Sequence, residues 1–134
     1  MKKLLLILST TALLVASAGA HCQIPCGIYD DAARIKEMKE HVTTIEKSMK
    51  EIKRIGKEKS PDYNQLVRWV TNKESHADKL SKIVTSYFMA QRIKPVPEDK
   101  KADHVKYIEK LTLLHRILVL SMKAKQTRDM EQCA

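Results

Sequence analysis

Asp30-Asp31-Ala32-Ala33-Arg34-Ile35-Lys36-Glu37-Met38-Lys39-Glu40-His41-Val42-Thr43-Thr44-Ile45 returns its apolar side chains at helical intervals, and the pattern continues to Ile55. Ile35, Met38, Val42, Ile45, Met49, Ile52 and Ile55 recur at spacings of three and four. That spacing predicts a long amphipathic helix with a narrow apolar stripe. Asp30 and Asp31 suit the positive end of its dipole, and Gly56 with Lys57-Glu58-Lys59 closes it. Ser60-Pro61-Asp62 then restarts a helix, with Ser60 as N-cap and Pro61 in the first helical position. Leu66, Val70, Ala77, Leu80, Val84 and Tyr87 carry that seam to about Gln91, and Lys73 interrupts it from a seam edge with its stem packed. Lys94-Pro95-Val96-Pro97 is a rigid linker. A last helix begins near Glu98 and carries Val105, Ile108, Leu111, His115, Leu118 and Met122. Its middle, residues 111–120, is apolar on more than one face, which predicts burial against neighbouring subunits as well as its own bundle.

With 134 residues, 3 Gly and 4 Pro, the chain suits one small all-α domain, an antiparallel helical bundle with three long helices legible. Aromatic content is 4%, so the core is aliphatic with Met filling gaps. Three narrow seams make a thin core, and oligomer formation helps such a fold. The formal charge of +9 serves solubility or the attraction of anions. Without an arginine-rich run or interleaved aromatics, nucleic acid is not an expected partner. His41 and His76 lie among charged neighbours and read as solvated. His104, near the start of the last helix, reads as a capping or surface residue, and His115 as a hydrogen-bonded core histidine. Trp69 and Phe88 read as core or subunit-interface residues.

Upstream, Lys2-Lys3 and the apolar run from Leu4 to Ala16 form the n- and h-regions of a secretory signal peptide. Ala18-Gly19-Ala20 supplies small residues for cleavage after Ala20 by signal peptidase or another protease. The run is short for a membrane span, so no stable membrane anchor is expected. The expected division is a cleaved leader over 1–20, a metal-binding segment over 21–29 and a helical bundle over 30–134. A cut after Ala18 is the competing site, and it leaves Gly19-Ala20-His21 at the front, a set that also clasps Cu(II) or Ni(II) in a square plane.

The segment freed by the first cut reads His21-Cys22-Gln23-Ile24-Pro25-Cys26-Gly27-Ile28-Tyr29. The His21 amine and the Cys22 amide nitrogen close one five-membered chelate ring, and that nitrogen with the Cys22 thiolate closes a second. Cys26 completes a plane of two nitrogens and two sulfurs, with the His21 imidazole tethered near an axial position. Such geometry suits Ni(II) or Cu(II) better than tetrahedral zinc, and thiolates with a deprotonated amide stabilise a higher oxidation state. Pro25 and Gly27 fit a tight loop. A Cys22–Cys26 disulfide is the competing reading of the spacing in an oxidising compartment. Cys133 is the third cysteine, near the C-terminus, and no role is read for it.

His-Cys-x-x-Pro-Cys-Gly-x-Tyr at a processing site resembles the nickel hook of the nickel-containing superoxide dismutases. The resemblance implies a four-helix bundle assembled as a homohexamer, one nickel ion per subunit, and superoxide as substrate, cycled through Ni(II) and Ni(III). His21, Cys22 and Cys26 are then the metal ligands, and Tyr29 is the catalytic tyrosine over the open face of the metal. Pro25 and Gly27 shape the loop, Gln23 stands where relatives often carry Asp, Glu37 orients the axial imidazole, and Tyr87 holds Tyr29. The long hydrophobic leader implies export to the periplasm or the extracellular space; a cytoplasmic location with a processed leader, as in many members of the family, is the alternative. A non-catalytic extracytoplasmic nickel- or copper-binding helical protein is the alternative reading.

Overall fold

The computed structural model describes residues 31–128. The leader, the segment 21–29 and Cys133 lie outside the described residues. Three long helices occupy the described part: α1 (Asp31–Ile55), α2 (Tyr63–Lys82) and α3 (Lys101–Gln126). The helix begun by α2 continues from Ile83 to Arg92 as a π-helix. α3 runs unbroken through Ala102 and Asp103, so the described residues carry three long helices and not four.

α1 and α2 run antiparallel. Lys47 lies over Trp69, Ser48 accepts from Asn72, His41 meets His76 and Asp31 meets Tyr87, so partners advance along one helix as they retreat along the other. Ile45, Met49, Ile52 and Ile55 of α1 are buried as their spacing predicts, and Met38 and Val42 pack partly against them. Ile35, the first residue of the expected stripe, is exposed. Ala77 and Leu80 of α2 and Ala124 of α3 complete the central cluster, with Ile83, Val84 and Tyr87 buried beyond it. The helix α1 ends at Gly56, whose N–H bonds back to Ile52 O at 3.1 Å.

Further expectations are corrected, among them Val70 of the expected α2 seam, which is exposed. The N-cap of α2 is Asp62, whose carboxylate accepts from Gln65 N–H at 3.1 Å, and not Ser60. A carboxylate bonds an orphan N–H as a serine does, and it adds charge complementary to the helix dipole. Lys73 is buried, not at a seam edge; its Nζ donates to the carbonyl oxygens of Ala124 (2.8 Å), Lys125 (2.5 Å) and Thr127 (3.0 Å). It caps the C-terminal end of α3, where unpaired carbonyls concentrate negative charge. His41 is buried and not solvated, because it turns inward to His76. His115 is exposed and not in the core.

The last of these follows from how α3 docks. Its buried residues are Ser121 and Ala124, small side chains that let the helix lie close. Val105, Ile108 and Met122, expected on the inner stripe, are exposed, as is Leu113. α3 therefore leaves large apolar side chains outside the core of its own chain on more than one side. The linker to α3 is pinned by His104, whose Nδ1 lies 2.7 Å from Val96 O. That contact bears out a local structural role for His104. No helix among the described residues is long and apolar enough to cross a membrane.

Candidate metal centre and the residues behind it

His21, Cys22, Gln23, Pro25, Cys26, Gly27 and Tyr29 lie outside the described residues. Among the described residues no group of three or more His, Cys, Asp or Glu is placed to hold a metal ion. What is described is the ground on which the 21–29 segment is rooted. Two peptide units separate Tyr29 from Asp31, which opens α1.

Asp31 is the centre of a polar knot. Its Oδ1 accepts from the Tyr87 hydroxyl at 3.0 Å and from Arg92 Nε at 2.7 Å. The bond from Arg92 holds the Asp31 carboxyl below the usual carboxylate range; burial opposes it, and the Tyr87 hydroxyl adds a lesser lowering. Burial, followed by donation to Asp31, pushes the Tyr87 phenol above its ordinary value. The guanidinium carbons of Arg34 and Arg92 lie 5.3 and 5.7 Å from the Tyr87 ring centroid, within cation–π range. Phe88 meets the same ring edge-on at 5.1 Å.

Glu37 lies one to two turns further along α1. Its Oε2 accepts from Arg34 Nη1 at 2.7 Å, and its Oε1 stands 4.0 Å from His41 Nε2. Arg34 thus joins the two residues expected to support the centre: it pairs with Glu37 and stacks on Tyr87. Behind Glu37, the His41 and His76 Nδ1 atoms are 3.0 Å apart. Burial lowers both imidazoles below their ordinary range, and Lys79 adds to this for each. With His76 donating, His41 carries its proton on Nε2 and turns it toward the Glu37 carboxylate, the tautomer the charges favour.

A basic cleft of about 360 Å³ opens beside Arg92, between the linker and the start of α3. Lys94, Lys100, Lys106 and Lys110 line it with Arg92, against the single carboxylate of Asp103. Among the described residues, none of the four lysines has a carboxylate within 4.0 Å. The positive field there attracts small anions.

The structure therefore brings Tyr87 and Glu37 into one network at the start of α1. Sequence reading missed Arg34, Arg92, the pairing role of Asp31 and the histidine pair. The i,i+3 spacing of Arg34 and Glu37 is a signal that helix geometry makes readable. The other contacts join residues 35 to 61 positions apart and leave no local trace.

The family model for nickel-containing superoxide dismutase matches residues 16–134. The chain belongs to that family of metalloenzymes. Its activity is therefore that of an oxidoreductase acting on superoxide, with nickel as cofactor. Compared with curated proteins and with solved structures, the chain has no match.

Proposed function

We propose that the nickel is held at a processed N-terminus, by the His21 amine and imidazole, the Cys22 amide and thiolate, and the Cys26 thiolate. The observation that carries the reading is the match to a nickel enzyme family in a chain whose best soft, strong-field donors cluster at residues 21–26. Two thiolates, an amide nitrogen, an amine and an imidazole fit a tetragonal nickel ion. When bound, nickel supplies one-electron chemistry between its +2 and +3 states, so that two superoxide ions and two protons become oxygen and hydrogen peroxide.

The chain's own residues do the rest. Tyr29 would order the incoming anion beside the bound ion. Tyr87, tied to Asp31 and Arg92, supports Tyr29 from behind. Glu37, held by Arg34 and faced by His41, accepts from the His21 imidazole and sets its orientation. Gln23, Pro25 and Gly27 hold the loop in shape. The cleft lysines raise the local concentration of superoxide.

The leader over 1–20 directs export to the periplasm or the extracellular space, and cleavage after Ala20 by signal peptidase or another protease exposes His21. The exposed apolar side chains of α3 pack against further copies in a homohexamer.

The test is the mature protein assayed for superoxide consumption beside its Cys26→Ser variant. Nickel-dependent turnover lost in the variant supports the ligand set, and a fully active Cys26→Ser protein refutes it. Nickel binding without turnover in the wild type identifies a metal carrier instead.

A further inference from the structure

Tyr87 and Arg92 reach Asp31 from the same side of one helical segment, although five residues separate them. In an α-helix, positions five apart point about 140° away from one another around the axis. Here the segment Ile83–Arg92 is π-wound, and its i→i+5 ladder ends with Ile93 N–H bonding to Phe88 O at 3.0 Å. That winding turns residues five apart to nearly the same side, as the contacts with one carboxylate oxygen require. π-winding costs hydrogen-bond geometry relative to α, so a ten-residue stretch of it serves a placement that α-winding denies.

We propose that Arg92 is a positioning residue for superoxide turnover, acting through Asp31 to fix the Tyr87 hydroxyl and the root of the metal-binding segment. The inference rests on the nickel-centre reading given above. Asp31 Oδ1 takes two donors at once, and the Arg92 bond, at 2.7 Å, is the shorter and is charge-assisted. With its one proton committed to Asp31, the Tyr87 oxygen presents only lone pairs on its other side. Tyr29 is two peptide units from Asp31, so covalent geometry keeps their Cα atoms within roughly 7 Å. A clamp on Asp31 therefore limits where Tyr29 stands. Arg34, its guanidinium carbon 5.3 Å from the Tyr87 ring centroid and its Nη1 paired with Glu37, packs on the ring whose hydroxyl meets the Asp31 carboxylate that Arg92 holds.

The experiment uses the mature, nickel-loaded full chain as wild type, Arg92→Gln and Arg92→Lys. Each is read for nickel content, thermal midpoint, kcat/KM, and the titration of Tyr87 followed by NMR of ring-labelled tyrosine. Nickel content and midpoint are expected to hold, while kcat/KM falls about tenfold or more in Arg92→Gln, the size of one charge-assisted bond. Arg92→Lys restores part of the loss, because a lysine keeps the charge but not the planar donor geometry. The Tyr87 titration in Arg92→Gln moves to higher pH, since the cation that favours the phenolate is gone. Full kcat/KM in nickel-loaded Arg92→Gln overturns the proposal. If the wild type itself shows no turnover, the nickel-centre reading fails, and an unchanged Tyr87 titration then overturns the clamp as well.

Discussion

His41 and His76 face each other across the seam between α1 and α2, with their Nδ1 atoms 3.0 Å apart and their rings edge-to-face. One imidazole donates and the other accepts, so the contact holds a single proton, and the lowered titration of both rings favours the neutral pair. Protonating the acceptor sets two N–H groups against each other and places a positive charge in a buried seam near Lys79, with Glu37 and Glu40 the facing carboxylates.

Stability should therefore fall on acidification. Both imidazoles titrate lower in the folded chain than the value of about 6.5 that applies when unfolded. Below that value the unfolded chain binds more protons than the folded one, so stability is full above pH 6.5 and declines as pH drops beneath it. Calorimetry between pH 7.5 and about 5.5 should show the midpoint falling, with a shallower fall in His76→Gln, which keeps a hydrogen-bonding side chain and removes one titrating group. A flat wild-type profile over that range contradicts the assignment.

Lys73 is the tie between α2 and the end of α3. Lys73→Met keeps most of the stem and removes three donations to main-chain carbonyls. Buried hydrogen bonds from a charged group are worth about 1.5–3 kcal/mol, so urea unfolding should show a loss of at least that order. An unchanged midpoint would mean that the α3 carbonyls find partners without it.

Leu113, 60% exposed, stands at about the same angle around α3 as the buried Ala124 but roughly three turns nearer the start of the helix, away from the core cluster. Leu113→Glu should leave the helical content and secondary structure of the chain intact while weakening self-association. Sedimentation velocity reads the difference, and an unaltered sedimentation profile counts against this face as the subunit interface.

Steering through the basic cleft has a salt signature. Lys106→Glu with Lys110→Glu should lower kcat/KM a fewfold at low ionic strength, with the gap closing as salt approaches about 1 M, where screening reaches only a few ångströms. A gap that persists at high salt points to a contact rather than a field.

Much of this architecture was legible because it is local. The α1 stripe from Met38 to Ile55 repeats within one helix, and its buried members are those the period marks. The linker around Pro95 and Pro97 announces itself by backbone chemistry. α3 misled because it is apolar on two sides, and a period alone does not say which side meets its own chain. Lys73 misled because its partners lie 51 to 54 residues away. The π-winding of 83–92 has no mark in the spacing of Ile83, Val84 and Tyr87, so the joint hold of Tyr87 and Arg92 on Asp31 was out of reach. Glu37 and Tyr87 were named from family resemblance, and the structure supplies Arg34 as what joins them.

The most direct test of the nickel centre is X-ray absorption at the nickel edge of the mature protein. Two sulfur scatterers with two or three nitrogens around one ion, on a polypeptide beginning at His21, is the expected result. An all-nitrogen shell, as Gly19-Ala20-His21 would give, or nickel bound while Cys22 and Cys26 are joined as a disulfide, contradicts it.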